Sequence, residues 1–224
     1  MEIVTIGQAI FDLFFPKRCI YCNLVISNSN PLCVRCSSNL PFTHWHLGTE
    51  NLAYLKLQNL CEIEFAYSLL YFRHGNVTQS LLHALKYENQ SKIGALLAEK
   101  VLLEMDFNLF DGIIPVPIHP KKLKQRGYNQ VMSFSEKLAI ETGVPLYTNL
   151  LIRIQNNPSQ VYKSREERFS SIKGAFELTT KNLTGHYILI DDVITTGATL
   201  STCVQALKKN TNLKISVITI AFAK

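Results

Sequence analysis

Long apolar runs are missing from this 224-residue chain. No stretch approaches the roughly 18–20 residues that a transmembrane helix needs. Glycine and proline are sparse, at ten and eight, and no internal repeat or low-complexity tract is visible. With 47% hydrophobic and 18% charged residues, the balance excludes a collagen-like, coiled-coil or disordered chain. A basic leader is missing too. Met1–Phe15 carries Glu2 and Asp12, and Pro16-Lys17-Arg18 follows where a signal peptide would place a small-residue cleavage site. The expected location is therefore the cytoplasm, including a peripheral position at the inner face of the cell membrane. The length suits one domain of ordinary size with room for a small second module.

What the chain does have is unevenly placed charge. The formal net charge is +6. Between Gly112 and Gly174 lie ten basic residues and four acids, while the remainder holds thirteen of each. Lys121, Lys122, Lys124 and Arg126 form the densest cluster; Arg153, Lys163, Arg165, Arg168 and Lys173 form a looser one. A concentrated positive field favours phosphate-bearing partners by attraction and counterion release, although a charge run by itself also fits a solvated face. Tyr128, Tyr162 and Phe169 lie among these charges, as stacking on single strands would want and as core packing also uses.

Four of the six cysteines form a pattern: Cys19-Ile-Tyr-Cys22, then ten residues later Cys33-Val-Arg-Cys36. Two residues between thiols let one tight turn aim both sulfurs at a point, and two such turns supply the four corners around a zinc ion. A disulfide framework is the alternative, but nothing directs the chain to an oxidising compartment. A four-thiolate set leaves no open coordination position, so the zinc would be structural. His44 and His46 lie nearby as substitute ligands for a set already complete. Trp45 reads as a packing residue at the module junction, and Cys61 and Cys203 as ordinary buried thiols.

The rest of the chain alternates. Ile3, Ile6, Ile10, Leu13 and Phe14 mark one face of a first helix, covering either an apolar surface of the main domain or the membrane boundary. Residues 1–45 thus comprise this helix and the four-Cys module, and 46–62 a connecting segment with little pattern. In 63–224, strands are predicted at Phe65–Phe72, Gly112–Val116, Leu150–Ile152, Ala175–Glu177, Tyr187–Ile190 and Lys214–Phe222. Helices are predicted at Val77–Tyr87, Lys92–Met105, Gln130–Thr142, where Gly143 is the stop, and Leu200–Lys209. Strands separated by helices imply an α/β fold with a mainly parallel sheet covered on both faces.

The most informative segment runs from Tyr187 to Thr199. A buried strand delivers Asp191 and Asp192 at its carboxyl end, where open parallel sheets place ligands. A helix then starts beside Thr195, Thr196, Gly197, Ala198 and Thr199, offering hydroxyls and backbone N–H groups to an anion. Acids beside a phosphate cradle suit a sugar phosphate: carboxylates accept from its hydroxyls while the loop holds the phosphate. The plainer reading is a strand-to-helix turn with an ordinary threonine cap.

Ile190–Thr199 resembles the ribose-phosphate loop of the type I phosphoribosyltransferases, which bind phosphoribosyl pyrophosphate (PRPP). The resemblance implies that Asp191 and Asp192 hold ribose hydroxyls and that Thr195–Thr199 wrap the 5′-phosphate. Leu85-Lys86-Tyr87 is similar to that fold's pyrophosphate loop, which would make Lys86 a pyrophosphate contact; magnesium would arrive with the ligand. From about Phe14 to Phe222 the chain resembles the ComF-type competence proteins, in which a four-Cys zinc module precedes a phosphoribosyltransferase-like domain. Pro115-Val-Pro117, Arg126-Gly-Tyr-Asn129-Gln130, Gln160, Arg165 and Arg168 follow that family's order of motifs. One departure is Glu88 or Asn89 where the family usually has glycine.

The resemblance implies a competence factor that handles single-stranded DNA during uptake in natural transformation and carries a PRPP pocket. Lys121, Lys122, Lys124 and Arg126 would neutralise DNA phosphates, with Arg126 alternatively closing over pyrophosphate. A second reading is an active phosphoribosyltransferase that moves ribose 5-phosphate from PRPP to a base or amine, with Asp191 and Asp192 at its centre. A third is an interaction protein that docks a component of the DNA-uptake channel or a helicase.

Overall fold

The computed structural model describes residues 15–27, 30–88, 90–154, 175–180, 183–209 and 212–224. The helix expected over Ile3–Phe15 lies almost wholly outside the described residues, as do Gln160, Tyr162, Lys163, Arg165, Arg168, Phe169 and Lys173.

Two short helices come first, α1 (Val34–Ser38) and α2 (Leu52–Leu57). There follow β1 (Ala66–Phe72), α3 (Val77–Tyr87), α4 (Ser91–Leu102), β2 (Gly112–Pro115), α5 (Pro120–Arg126) and α6 (Met132–Thr142). The chain continues through β3 (Leu151–Arg153), β4 (Phe176–Leu178), β5 (Thr184–Ile194), α7 (Ala198–Lys208) and β6 (Asn212–Ala223). The main sheet has the order β1-β6-β5-β2 with every pairing parallel; β3 and β4 form a separate antiparallel pair. Helices connect the parallel strands because such strands need a long crossover to return to the same end.

Strand periodicity explains the two-sided core. Ile113, Ile188, Ile190, Ile218 and Ile220 belong to one apolar cluster with Leu81 and Leu85 of α3, Leu97 of α4 and Phe134 of α6. Their neighbours Ile114, Leu189, Ile215 and Val217 belong to the other, with Leu200, Val204 and Leu207 of α7. Successive side chains point to opposite faces, so a strand buried on both sides is apolar at every position, as Tyr187–Ile190 is. Gly143 takes the left-handed conformation that ends α6 (φ 74°), the stop the sequence predicts.

Three features depart from the sequence reading. First, the chain runs antiparallel along the outer edge of β1 from the end of the cysteine module into the connecting segment. Tyr71 N–H donates to Pro41 O and Thr43 N–H to Leu69 O, and Gly48 of the connecting segment exchanges two hydrogen bonds with Ala66. Second, the same segment contains α2, whose cap Asn51 accepts from Tyr54 N–H and also donates to Ala66 O at 2.7 Å. Third, β5 extends through Asp191 and Asp192 to Ile194, beyond the four apolar residues that mark its centre. Trp45 packs edge-on against Tyr71 and Phe222, at ring separations of 5.4 and 5.3 Å, the junction role expected of it. Cys203 is fully buried, whereas Cys61 is only half-buried.

Candidate functional site

A cavity of about 300 Å³ opens at the carboxyl ends of β2 and β5. Its floor is acidic. Asp191 and Asp192 are 8% and 5% exposed, and Asp191 Oδ1 accepts the Asp192 N–H at 2.8 Å. Burial, and then the charge of Asp192, hold the Asp191 carboxyl well above the ordinary carboxylate range. Its cationic lining comes from Lys86 of α3, Lys122 and Arg126 of α5, and Arg153 of β3. Thr195 and Thr199 line a third side, at the start of α7. One hollow therefore gathers paired carboxylates, four cations and hydroxyls beside a helix N-terminus.

Helical spacing explains the lining from α5. His119, Lys122 and Arg126 recur at intervals of three and four residues, which puts such positions on one side of a turning chain; Gln130 joins them from beyond Gly127, where the helix has ended. Lys121 and Lys124 fall off that stripe and do not line the cavity. The basic cluster read as one patch is thus divided between cavity and outer surface. Arg126 is fixed twice: Nη1 donates to Gln130 Oε1 at 2.9 Å, and the guanidinium stacks 5.0 Å from the Tyr87 ring centroid. Asn129 donates to Val116 O, which joins this motif to the end of β2. His119 caps α5 by accepting the Lys121 N–H at Nδ1. Burial, and then Arg153, Lys121 and Lys122, depress its pKa, so the imidazole is neutral near pH 7 with its proton on Nε2.

The threonine loop is braced from α2, which the sequence reading left without a role. Lys56 Nζ donates to Thr195 O at 2.7 Å and to Ala223 O at 3.1 Å. Gly197 has φ 80°, and a Cβ there would come within 2.9 Å of both Leu57 and Leu60. The glycine is thus needed for backbone conformation and close packing on α2, a reason separate from ligand approach. Thr196 caps the helix start through Oγ1, which accepts the Ala198 N–H at 3.4 Å; neither residue lines the cavity. An asparagine cap before Leu-Ala-Tyr-Leu was the available signal for α2.

Lys86 reaches the cavity from the helix predicted over Val77–Tyr87. Leu85-Lys86-Tyr87 is the last turn of α3, and Leu85 is buried in the core. Lys86 Nζ is already engaged, 2.6 Å from Asp192 Oδ2.

The four cysteines converge at a second site. The sulfurs of Cys19, Cys22, Cys33 and Cys36 all lie within 4.8 Å of one another. Cys22 and Cys33 are 3.6 Å apart at sulfur, too far for a disulfide and close to the roughly 3.8 Å edge of a tetrahedral zinc–thiolate set. Burial raises the Cys19 thiol, but N–H groups of Cys22, Cys33 and Tyr21 outweigh it and bring the pKa down to about 6. Burial and the neighbouring thiols push Cys36 up. The donor set fits a metal ion such as zinc, whose binding would displace the protons. His44 and His46 are exposed and outside the cluster. Leu32 and Leu40 join the same apolar cluster as Leu70 and Leu81, so the cysteine segment packs into the main core. Among the described residues, no helix is long and apolar enough to cross a membrane.

A mainly parallel α/β sheet with a strand-end cavity and a cluster of four thiols placed to hold a metal ion is the class these features define. No protein-family model matches the chain. Competence protein F of Haemophilus influenzae is 30% identical over 213 residues, covering 88% of this chain and 93% of that protein. The chain belongs to the competence protein F family. DNA utilization protein YhgH of Escherichia coli O157:H7 is 26% identical, over 86% of this chain and 84% of its own length. Among solved structures, adenine phosphoribosyltransferase from Leishmania tarentolae aligns over 79% of this chain and 89% of that one, at 13% identity and a TM-score of 0.37.

Proposed function

We propose that this protein is a cytoplasmic competence factor that handles incoming single-stranded DNA, and that its strand-end cavity binds PRPP with magnesium. The observation that carries the reading is the three-part chemistry of the cavity. Thr195 and Thr199 at the start of α7 suit a 5′-phosphate, Asp191 and Asp192 suit ribose hydroxyls, and the cationic lining suits a pyrophosphate. The names of the relatives, competence protein and DNA utilization protein, support the DNA half.

The two ligands occupy different places. A DNA strand has no 2′-hydroxyl, and its internal 3′-oxygen is esterified. Buried carboxylates would meet a phosphodiester charge there, at a cost, instead of a donor. Free ribose hydroxyls suit the cavity floor, while the strand suits the outer surface of α5 at Lys121 and Lys124. A working phosphoribosyltransferase is the second reading, favoured by cations able to take up the charge of a departing pyrophosphate.

Calorimetric titration with PRPP and magnesium tests the cavity. The wild type should bind, and Asp191→Asn/Asp192→Asn should lose at least about 100-fold, roughly the worth of two hydrogen bonds to charged groups. Unchanged affinity in that variant would overturn the assignment. Pyrophosphate release with each common base decides whether turnover occurs.

A further inference from the structure

The pairing of Lys86 with Asp192 has a consequence for which ligands the cavity admits. Asp192 Oδ2 is buried and, apart from Lys86 Nζ at 2.6 Å, meets no hydrogen-bond donor among the described residues. Asp191 Oδ1 accepts the Asp192 N–H, and the two carboxyls also meet side chain to side chain. Among the described ion pairs, Lys86 is the one cation matched to this buried carboxylate, and both groups line the cavity. The lysine is the more exposed partner, with its side chain 26% accessible against 8% for the aspartate, so an entering ligand can reach it.

We propose that Lys86 is a specificity-determining latch, held by Asp192 in the empty cavity and released only to a ligand that carries a pyrophosphate together with ribose hydroxyls. This rests on the ribose-phosphate reading above. The exchange is balanced when both groups arrive. The pyrophosphate takes the ammonium, and the hydroxyls donate to the carboxylate that it leaves. Ribose 5-phosphate brings hydroxyls without the second anion, so it must either break the ion pair uncompensated or leave Asp192 blocked. Breaking one side of a buried pair is costly because the other charge stays stranded. The latch therefore favours PRPP over the ribose 5-phosphate that would otherwise compete for the same acids and the same α7 start.

The test compares PRPP and ribose 5-phosphate by calorimetry at fixed magnesium, in the wild type, Lys86→Met and Lys122→Met. Lys122 is a cavity cation of equal charge with no acidic partner among the described ion pairs. The latch requires Lys86→Met to lose PRPP affinity by roughly 10-fold or more while binding ribose 5-phosphate several-fold more tightly than Lys122→Met does. Equal weakening of ribose 5-phosphate by both variants overturns the latch alone. If PRPP binds to none of the proteins, the ribose-phosphate reading falls first. A ligand-free measurement stands beside this one. The lysine ammonium resonance by ¹⁵N NMR should show a slowly exchanging Lys86 signal that is lost in Asp192→Asn and shifted by inorganic pyrophosphate. A signal indifferent to Asp192→Asn overturns the latch without reference to any sugar.

Discussion

The four cysteines occupy eighteen consecutive positions, Cys19 to Cys36, whereas the cavity draws on residues from Lys86 to Thr199. One site is made by two local turns, the other by the ends of strands and helices brought together through the whole fold. A local site of this kind would concentrate its energy in a few bonds to one ion. A site assembled from many elements spreads its support, and it stores unfavourable interactions that the rest of the fold must hold in place.

Metal removal should therefore produce the largest effect. Structural zinc contributes on the order of 10 kcal/mol to small peptides that fold around it. Here Leu32 and Leu40 share a core with Leu70 and Leu81, so loss of the ion should reach the sheet. Cys33→Ser, or a strong chelator, is expected to remove bound zinc and lower stability by several kcal/mol. Metal analysis together with thermal unfolding checks this. An unfolding curve unchanged by complete zinc removal would break the contrast, because the segment would then stand on packing alone.

The acid floor should behave in the opposite way. The native Asp191 carboxyl titrates above its unfolded value, so the folded state holds the extra proton between the two. Stability should then fall as pH rises from near 4, the ordinary carboxyl value, up to the raised native one, and be level beyond it. Asp191→Asn removes that slope and keeps an oxygen for the Asp192 N–H. It should raise stability near neutral pH by about 1 kcal/mol while weakening PRPP binding, a trade often found where function keeps a charge buried. Denaturant unfolding at pH 5 and pH 8 reads the difference. A destabilised variant with an unchanged pH slope would show that the buried acid is structural.

These two regions also mark how far residue patterns carried. The cysteine spacing specified its cluster because each ligand pair is only three positions apart. The apolar centre of β5 and the acids after it specified where the cavity lies, since a two-sided parallel strand must be apolar throughout and must end at the ligand side. Lys86 was legible as a cavity residue, but its partner was not: no spacing links positions 86 and 192. The division of Lys122 and Arg126 from Lys121 and Lys124 was hidden because α5 was read as a charge run and its helical turn went unseen. Lys56 gave no signal at all, since its contact spans 139 residues of sequence.

Lys56 supplies the next prediction in size. Its ammonium donates to Thr195 O and Ala223 O and sits 4.6 Å over the Phe222 ring, so it holds the threonine loop without itself lining the cavity. Lys56→Met keeps the length of the side chain and removes those contacts. PRPP affinity should fall about fivefold, near 1 kcal/mol, with zinc content unchanged. A loss confined to stability, with PRPP affinity intact, would show that the loop keeps its shape without this brace.

The smallest effect on the cavity, and the sharpest comparison, lies within α5 itself. Lys121→Gln/Lys124→Gln removes two charges from the outer side, while Lys122→Gln removes one from the cavity lining. Exposed charges act weakly over a distance, so the double variant should change PRPP affinity by less than about 0.5 kcal/mol. On single-stranded DNA the order reverses. Each phosphate-contacting lysine lost should flatten the dependence of log affinity on log salt by roughly 0.7, so the double variant loses about twice that amount. Titrations of an oligonucleotide and of PRPP across the same salt series read both effects on the same proteins. If the double variant and Lys122→Gln move both ligands together, α5 presents one undivided field and the two binding surfaces are one. If they separate, a helix of seven residues serves two partners from its two sides.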